Sequence, residues 1–244
     1  MKTPLCIFLA AIFGVGAFAA DESAFNKANQ AYAEGRFEEA ANAYETLIGS
    51  GNWNVNLFYD LGNARYRLGD FGQAILNYER ALALDPRHPE AEANLRLARD
   101  EARALEMRRG WIEHYASIAT VKQYTIAAAI AFWFAMFMAA HLFFSSRRSA
   151  GRIGLIALSI LICGVCVFAI FTLENGAHGD ALAVITGKEV EARLATADTA
   201  KSILVLPAGS EIEILSDRGD WIYAALPNDQ RGWIPASSAQ RVRM

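Results

Sequence analysis

Cys163-Gly164-Val165-Cys166 has the two-residue spacing of a thiol pair that shuttles electrons or holds a metal. Either use needs a stabilised thiolate, from a helix N-terminus, a nearby cation or a metal, and a zinc site needs further ligands. The pair lies inside an apolar run with no second pair and no histidine beside it, so both residues read as small buried side chains. Cys6, the third cysteine, lies far away in another apolar block, which excludes a disulfide framework. His88, His114 and His178 are isolated from one another, and His141 lies one turn from a group of arginines, where it reads as interfacial. No Ser-His-Asp spacing, HExxH motif or phosphate-cradling glycine loop occurs. The expectation is therefore no catalytic residue, no metal site, no cofactor and no enzyme. Arg218-Gly219-Asp220 spells an adhesion tripeptide, but it sits in a turn ahead of a tryptophan and reads as incidental.

With catalysis set aside, composition asks where the apolar residues go. The 244 residues are 54% hydrophobic and 20% charged, with a mean hydropathy of +0.17. That excludes disorder and is high for a wholly water-soluble chain. A net charge of -3 removes the basic field a nucleic-acid partner would require.

Three blocks hold the excess. Residues 1–19, with Lys2 ahead of the run Leu5 to Phe18 and a small-residue cut after Ala19, predict a secretory signal peptide, with an uncleaved anchor helix as the alternative. Residues 124–144 and 153–173 are each 21 residues without a formal charge, close to the roughly 20 needed to cross the hydrocarbon. The loop 145–152 between them carries Arg147, Arg148 and Arg152, which places it in the cytoplasm and both flanking regions outside. Ala127, Ala131, Ala135 and Ala139, with Gly154, Ser159, Cys163 and Gly164, offer small faces for a packed hairpin in contact with lipid, with alanine as generic apolar filler the alternative. Residues 109–123, with Trp111, Ile112, Tyr115 and Ile118 at helical spacing, predict an amphipathic collar or a simple extension of the span.

The exported segment 20–108 repeats itself. At an offset of 34, identical residues recur at Asn29/Asn63, Tyr32/Tyr66, Gly35/Gly69, Phe37/Phe71, Ala40/Ala74, Tyr44/Tyr78 and Glu45/Glu79. Small residues at Gly62 and Ala74 let two antiparallel helices touch, Gly69 ends one helix and Pro86 stops the next. Phe58, Leu61, Gly62, Gly69, Phe71, Ala74, Tyr78, Ala81 and Pro86 resemble the tetratricopeptide repeat signature. The pattern departs at Arg65, Lys27 and Asn52. The stretch Pro89 to Met107 predicts a long capping helix. Two repeats and a cap fall short of the about three usually needed, which predicts marginal stability or support from a partner. The resemblance implies a concave groove lined by Phe25, Asn29, Tyr32, Ala33, Tyr59, Asn63, Tyr66 and Arg67. Asn29 and Asn63 could pair with the backbone of a bound segment or hydrogen-bond inside the solenoid.

From residue 178 the pattern changes to short alternating runs at Ala181–Ile185, Val190–Arg193, Ile203–Leu206, Glu211–Leu215, Trp221–Leu226 and Gly232–Ile234, separated by turn residues. They predict a compact β barrel over 178–244. Gly219-Asp220-Trp221-Ile222-Tyr223 and Gly232-Trp233-Ile234-Pro235 resemble the bacterial SH3 domain, whose signature then falls on Asp220, Trp221, Gly232, Trp233, Ile234 and Pro235. That resemblance implies an association with cell-wall peptide, while Trp221 and Trp233 read as core and barrel-end packing, with ligand stacking as the alternative. Ala192-Arg193-Leu194-Ala195 departs from the family's usual turn.

The expected fold is thus a multidomain membrane protein: an all-α tetratricopeptide solenoid, a two-helix transmembrane hairpin and a small all-β barrel. This order is similar to the BatE family of the Bacteroides-type aerotolerance operon. The resemblance implies a two-pass protein of the bacterial inner membrane with both globular parts periplasmic. Its implied partners are von Willebrand A-type membrane proteins and a MoxR-type ATPase, with peptidoglycan as the alternative ligand.

Overall fold

A computed structural model describes residues 22–108, 110–144, 150–176 and 178–243. The predicted signal peptide and most of the arginine loop lie outside these residues. The chain forms two compact units, one built from the residues up to Glu106 together with those from Ala183 onward, the other from Met107–Leu182.

Among the described residues of the first unit, five helices precede a sheet: α1 (22–33), α2 (Phe37–Gly49), α3 (Val55–Arg67), α4 (Phe71–Leu84) and α5 (Pro89–Ala102). The period of 34 is visible in the backbone at each helix end. Gly35 and Gly69 take left-handed φ values of 80° and 74°. Beside them Arg36 N–H donates to Ala31 O at 2.9 Å, and Asp70 N–H to Arg65 O at 2.9 Å. With Gly35 N–H donating to Tyr32 O and Gly69 N–H to Tyr66 O, both at 3.0 Å, each helix has the two bonds of a Schellman ending, where glycine is favoured because it has no Cβ to clash. The helices that follow open on Phe37 and Phe71, whose rings pack edge-on against Tyr32 and Tyr66 at 5.2 and 5.5 Å. Starts repeat as well: the Asn54 side chain accepts from Leu57 N–H at 2.9 Å, and 34 residues on, His88 Nδ1 accepts from Ala91 N–H at 3.1 Å.

The same period continues into α5, which ends at Ala102 rather than running on to Met107. Arg103 occupies the left-handed position of Gly35 and Gly69, with φ 53°, and Ala104 N–H donates to Arg99 O at 3.0 Å. Helix α5 is therefore built as the first helix of a third repeat. Its second helix is missing. Leu105, the counterpart of Phe37 and Phe71, instead packs into the core of the sheet.

The sheet has seven strands: β1 (Leu182–Ile185), β2 (Glu189–Arg193), β3 (Ser202–Pro207), β4 (Glu211–Arg218), β5 (Trp221–Ala225), β6 (Arg231–Pro235) and β7 (Ala239–Arg241). The spatial order is β3-β2-β6-β5-β4-β1-β7, with antiparallel register such as Ile222 opposite Ile234. Among the described residues β3 and β7 are the two edges of the sheet, so the expected closed barrel is corrected to an open antiparallel sheet. The solenoid packs onto it. Ala183, Ile185, Leu206, Ile212, Ala224, Leu226 and Ile234 form its core with Leu105 against them. A Cβ at Gly72 of α4 would lie 3.0 Å from Ile185 O, and one at Gly209 would lie 2.1 Å from Ile75 Cδ1.

Charge joins the two layers. Fully buried Glu211 of β4 pairs with Arg99 of α5, and that guanidinium also meets Glu79 of α4 and Glu106 at 3.4 Å. Leu105 N–H donates to Ser210 Oγ at 3.1 Å, and Glu211 N–H to Leu105 O at 2.8 Å.

The second unit holds α6 (Trp111–Ala116), α7 (Val121–Phe144) and α8 (Ala150–Asn175). The chain turns between α6 and α7, so the collar is a separate short helix rather than an extension of the span. Helices α7 and α8 are long and apolar enough to cross a membrane, and only 11% and 17% of their apolar windows are buried. They pack against each other through half-buried or buried Ala127, Ala131, Ala135, Ser159, Cys163, Cys166 and Ala169, while a Cβ added at Gly154 or Gly164 would meet open space. Glu113 of α6 accepts from His178 N–H at 3.1 Å and meets the imidazole Nδ1 at 3.1 Å.

Candidate functional site

The groove is built on the first helices of the repeats. Gly62 of α3 sits under the ring of Tyr78 from α4, where a Cβ would come within 2.6 Å of Tyr78 Cε1. That close approach puts the tyrosine hydroxyl on Asn63, whose Oδ1 accepts from Tyr78 O–H at 2.8 Å. The preceding repeat copies this with Tyr44 O–H donating to Asn29 Oδ1 at 2.7 Å. Burial pushes the hydroxyls of both Tyr44 and Tyr78 well above their ordinary value, so both stay protonated donors.

Both readings of the asparagines therefore have a physical part. Their oxygens are used inside the solenoid, while neither Nδ2 meets an acceptor among the described residues. From α5, Asn94 Nδ2 donates to Asn63 Oδ1 at 2.8 Å and to the Tyr59 hydroxyl oxygen at 3.3 Å, linking α5 into the row.

The other expected groove residues are placed as follows. Tyr59 is half-buried, 6.1 Å from the Tyr78 ring and 5.1 Å from the His88 ring. Phe25 packs 6.0 Å from Tyr44, so it serves the first repeat's core as much as its surface. Tyr32 and Tyr66 are half-buried against the following helix, and Ala33 is exposed. Arg67 is exposed and lies over the Phe37 ring at 4.7 Å, a cation–π contact between α3 and α2.

Asp60 is the residue that sequence reasoning missed. It is half-buried on α3 within electrostatic reach of Tyr32, Tyr44 and His88. Burial pushes its carboxyl up from 3.8 to about 6, with His88 acting in the opposite direction. The signal was in the repeat: at the same offset stand Asn26 and Asn94, two neutral amides flanking one acid.

In the sheet, Ile234 and Gly232 face inward, Ile234 in the core and Gly232 beneath Ala192 and Ile203. Trp221 and Trp233 do not fill the core. They are half-buried on the opposite face, where Trp233 pairs with Tyr223 at 4.9 Å and lies under Arg218 at 5.1 Å. Asp220 and Pro235 flank the β5 and β6 pairing, with Asp220 O accepting from Ala236 N–H at 2.9 Å.

The tetratricopeptide repeat model matches residues 55–88, which span α3, α4 and the turn to α5. The chain thus carries a repeat of a class built for protein–protein interaction. Comparison with curated proteins gives no match. Among solved structures, a T3SS complex from Aeromonas hydrophila is similar at 16% identity, covering 65% of this chain and 87% of that one with a TM-score of 0.35.

Proposed function

We propose that this chain is a non-catalytic scaffold in which a tetratricopeptide groove takes a partner polypeptide while α7 and α8 anchor the protein in the bacterial inner membrane. One observation carries the reading. The row of Asn29, Asn63 and Asn94 is fixed by tyrosine and amide hydrogen bonds, and it leaves two Nδ2 groups available to a bound backbone. Side chains held in place before binding lose less freedom when a ligand arrives.

Anchoring is supported by the exposed apolar surface of α7 and α8. A core helix of a soluble protein would bury that surface. The predicted signal peptide and arginine loop favour a periplasmic location for the repeat and the sheet. The likeness to the BatE family names von Willebrand A-type membrane proteins and a MoxR-type ATPase as the partners to look for.

The test is a photo-crosslinker, p-benzoylphenylalanine, placed at position 67 in native membranes. The expected product contains a von Willebrand A-type membrane protein and is lost with Tyr59→Ala/Asn63→Ala. Products containing only this chain would remove the reading.

A second reading, tethering to peptidoglycan through the bacterial SH3-like sheet, is favoured by the partial exposure of Trp221 and Trp233. It predicts that the full chain sediments with purified sacculi and that Trp233→Ala does not.

A further inference from the structure

We infer that the groove selects a partner segment by a basic side chain, arginine or lysine, seated on Asp60; this rests on the groove reading above and names the chemistry of its occupant. The inference begins from the repeat. At offsets of 34 the chain places Asn26, Asp60 and Asn94 at one position of three successive first helices. Asn94 shows what a polar group does there inside the protein, since it spends its amide on Asn63 and Tyr59 of the preceding helix. Asp60 cannot do the same. A carboxylate only accepts, and the helix before it offers Phe25 where α3 offers Tyr59, so the matching hydroxyl is missing.

Among the described residues, no hydrogen bond and no ion pair reaches Asp60. The guanidiniums nearby in sequence are already engaged: Arg65 is paired with Glu45 at 2.5 Å and Asp70 at 3.9 Å, and Arg67 lies over Phe37. A half-buried anion whose one cationic neighbour, His88, acts without an ion pair is costly, and an arriving cation recovers that cost. The raised carboxyl value agrees, because it reports an anion short of stabilisation.

The surroundings fit a basic side chain better than a metal ion. Tyr32, Tyr44 and His88 lie within electrostatic reach of the carboxylate, and no group of three or more metal-capable side chains occurs among the described residues. Aromatic faces such as Tyr59 favour an organic cation through cation–π attraction, while a carboxylate favours it by charge-assisted hydrogen bonds. On either side, the Nδ2 groups of Asn29 and Asn63 can hold the carbonyls of the extended backbone that carries it.

The experiment uses the full chain in lipid nanodiscs and a fluorescein-labelled dodecapeptide of alternating alanine and arginine. Companion peptides replace arginine by lysine or by citrulline, the neutral isostere of arginine. Anisotropy should show the arginine and lysine peptides binding roughly 30-fold more tightly than the citrulline one, the scale expected when one side of a buried charge pair is removed. Asp60→Asn should erase that difference. It introduces the side chain already present at positions 26 and 94, so the helix is preserved, and a circular dichroism melt verifies this. Asp198→Asn, an exposed acid in the β2–β3 loop, controls for diffuse attraction. Equal affinity for the arginine and citrulline peptides, absence of binding by any peptide, or equal losses from Asp60→Asn and Asp198→Asn would each overturn the inference. If the position-67 crosslink persists in Asp60→Asn while the peptides are not discriminated, the groove reading stands and only the charge selection falls. A crosslink that recovers no partner removes the groove reading, and the peptide assay still decides the charge selection on its own.

Discussion

Asp60 is a carboxylate whose folded-state value lies above its unfolded one, from 3.8 to about 6. Between those values the folded chain holds the extra proton, so folding stability falls as pH rises through that window and the full cost is present above it. The groups facing Asp60 are Tyr32 from α1, Tyr44 from α2 and His88 from the turn before α5, and the histidine holds the carboxyl down rather than up. Replacing Asp60 by asparagine should therefore raise the melting temperature at pH 7.5, by an amount that shrinks on acidification below 6 and is gone near 4. A gain independent of pH would mean that burial of the charge is not the cause. Gly62 makes the complementary case. A methyl group there would meet the Tyr78 ring at 2.6 Å. Relief requires moving the ring that donates to Asn63, so Gly62→Ala should cost about 1–3 kcal/mol in a urea melt. It should also weaken capture of the partner, because it displaces the same tyrosine that fixes the asparagine row.

At the level of elements, the sheet occupies the place where a third repeat's second helix would lie. Leu105 leaves the helical path after the left-handed Arg103 and packs into the sheet core, and α4 covers the same sheet through Gly72 and Ile75. The support that two repeats and a half require is supplied within the chain. Arg99 is the electrostatic joint, since it meets Glu79 of α4 and fully buried Glu211 of β4. Arg99→Ala would leave a buried carboxylate without its guanidinium, at a cost of about 3–5 kcal/mol. Calorimetry should then show the single transition of the unit splitting into two, sheet and solenoid. A shift of one intact transition would mean that the apolar contacts alone couple them. The first two repeats were legible because Gly35/Gly69, Phe37/Phe71 and Tyr44/Tyr78 are identical at the period. The third half-repeat was hidden because arginine and leucine stand at 103 and 105 in place of glycine and phenylalanine. Six strands could be read from alternation, but β7 is three residues long without a turn signal of its own. Closure was misjudged because strand pairing is a long-range property: what lies against the sheet's core is Leu105, contributed from the other side of the hairpin in sequence. Asp60 escaped notice for a similar reason, as burial of a carboxylate with no ion pair among the described residues can only be seen in three dimensions.

For the whole molecule, connectivity constrains topology. The chain leaves the first unit at Glu106 and re-enters it at Ala183, and β4 is bonded directly to α5 and Leu105. A chain whose two ends form one folded unit would cross any bilayer an even number of times in between, and two helices long and apolar enough to cross one fit that requirement. An odd count would tear the sheet from the solenoid and leave Glu211 and Arg99 on opposite sides. The prediction is a labelling pattern. With Cys6, Cys163 and Cys166 replaced by serine, single cysteines are introduced as Asn26→Cys on the solenoid, Asp198→Cys on the sheet and Ser149→Cys in the arginine loop. A membrane-impermeant maleimide applied to intact spheroplasts should label the first two and reach the third only after lysis. Labelling of 26 without 198, or the reverse, would contradict a shared side and with it the docked sheet. Protection of both together with labelling of 149 would keep the docked unit and reverse its orientation, because the even crossing follows from the fold whereas the direction depends on the arginines of the loop.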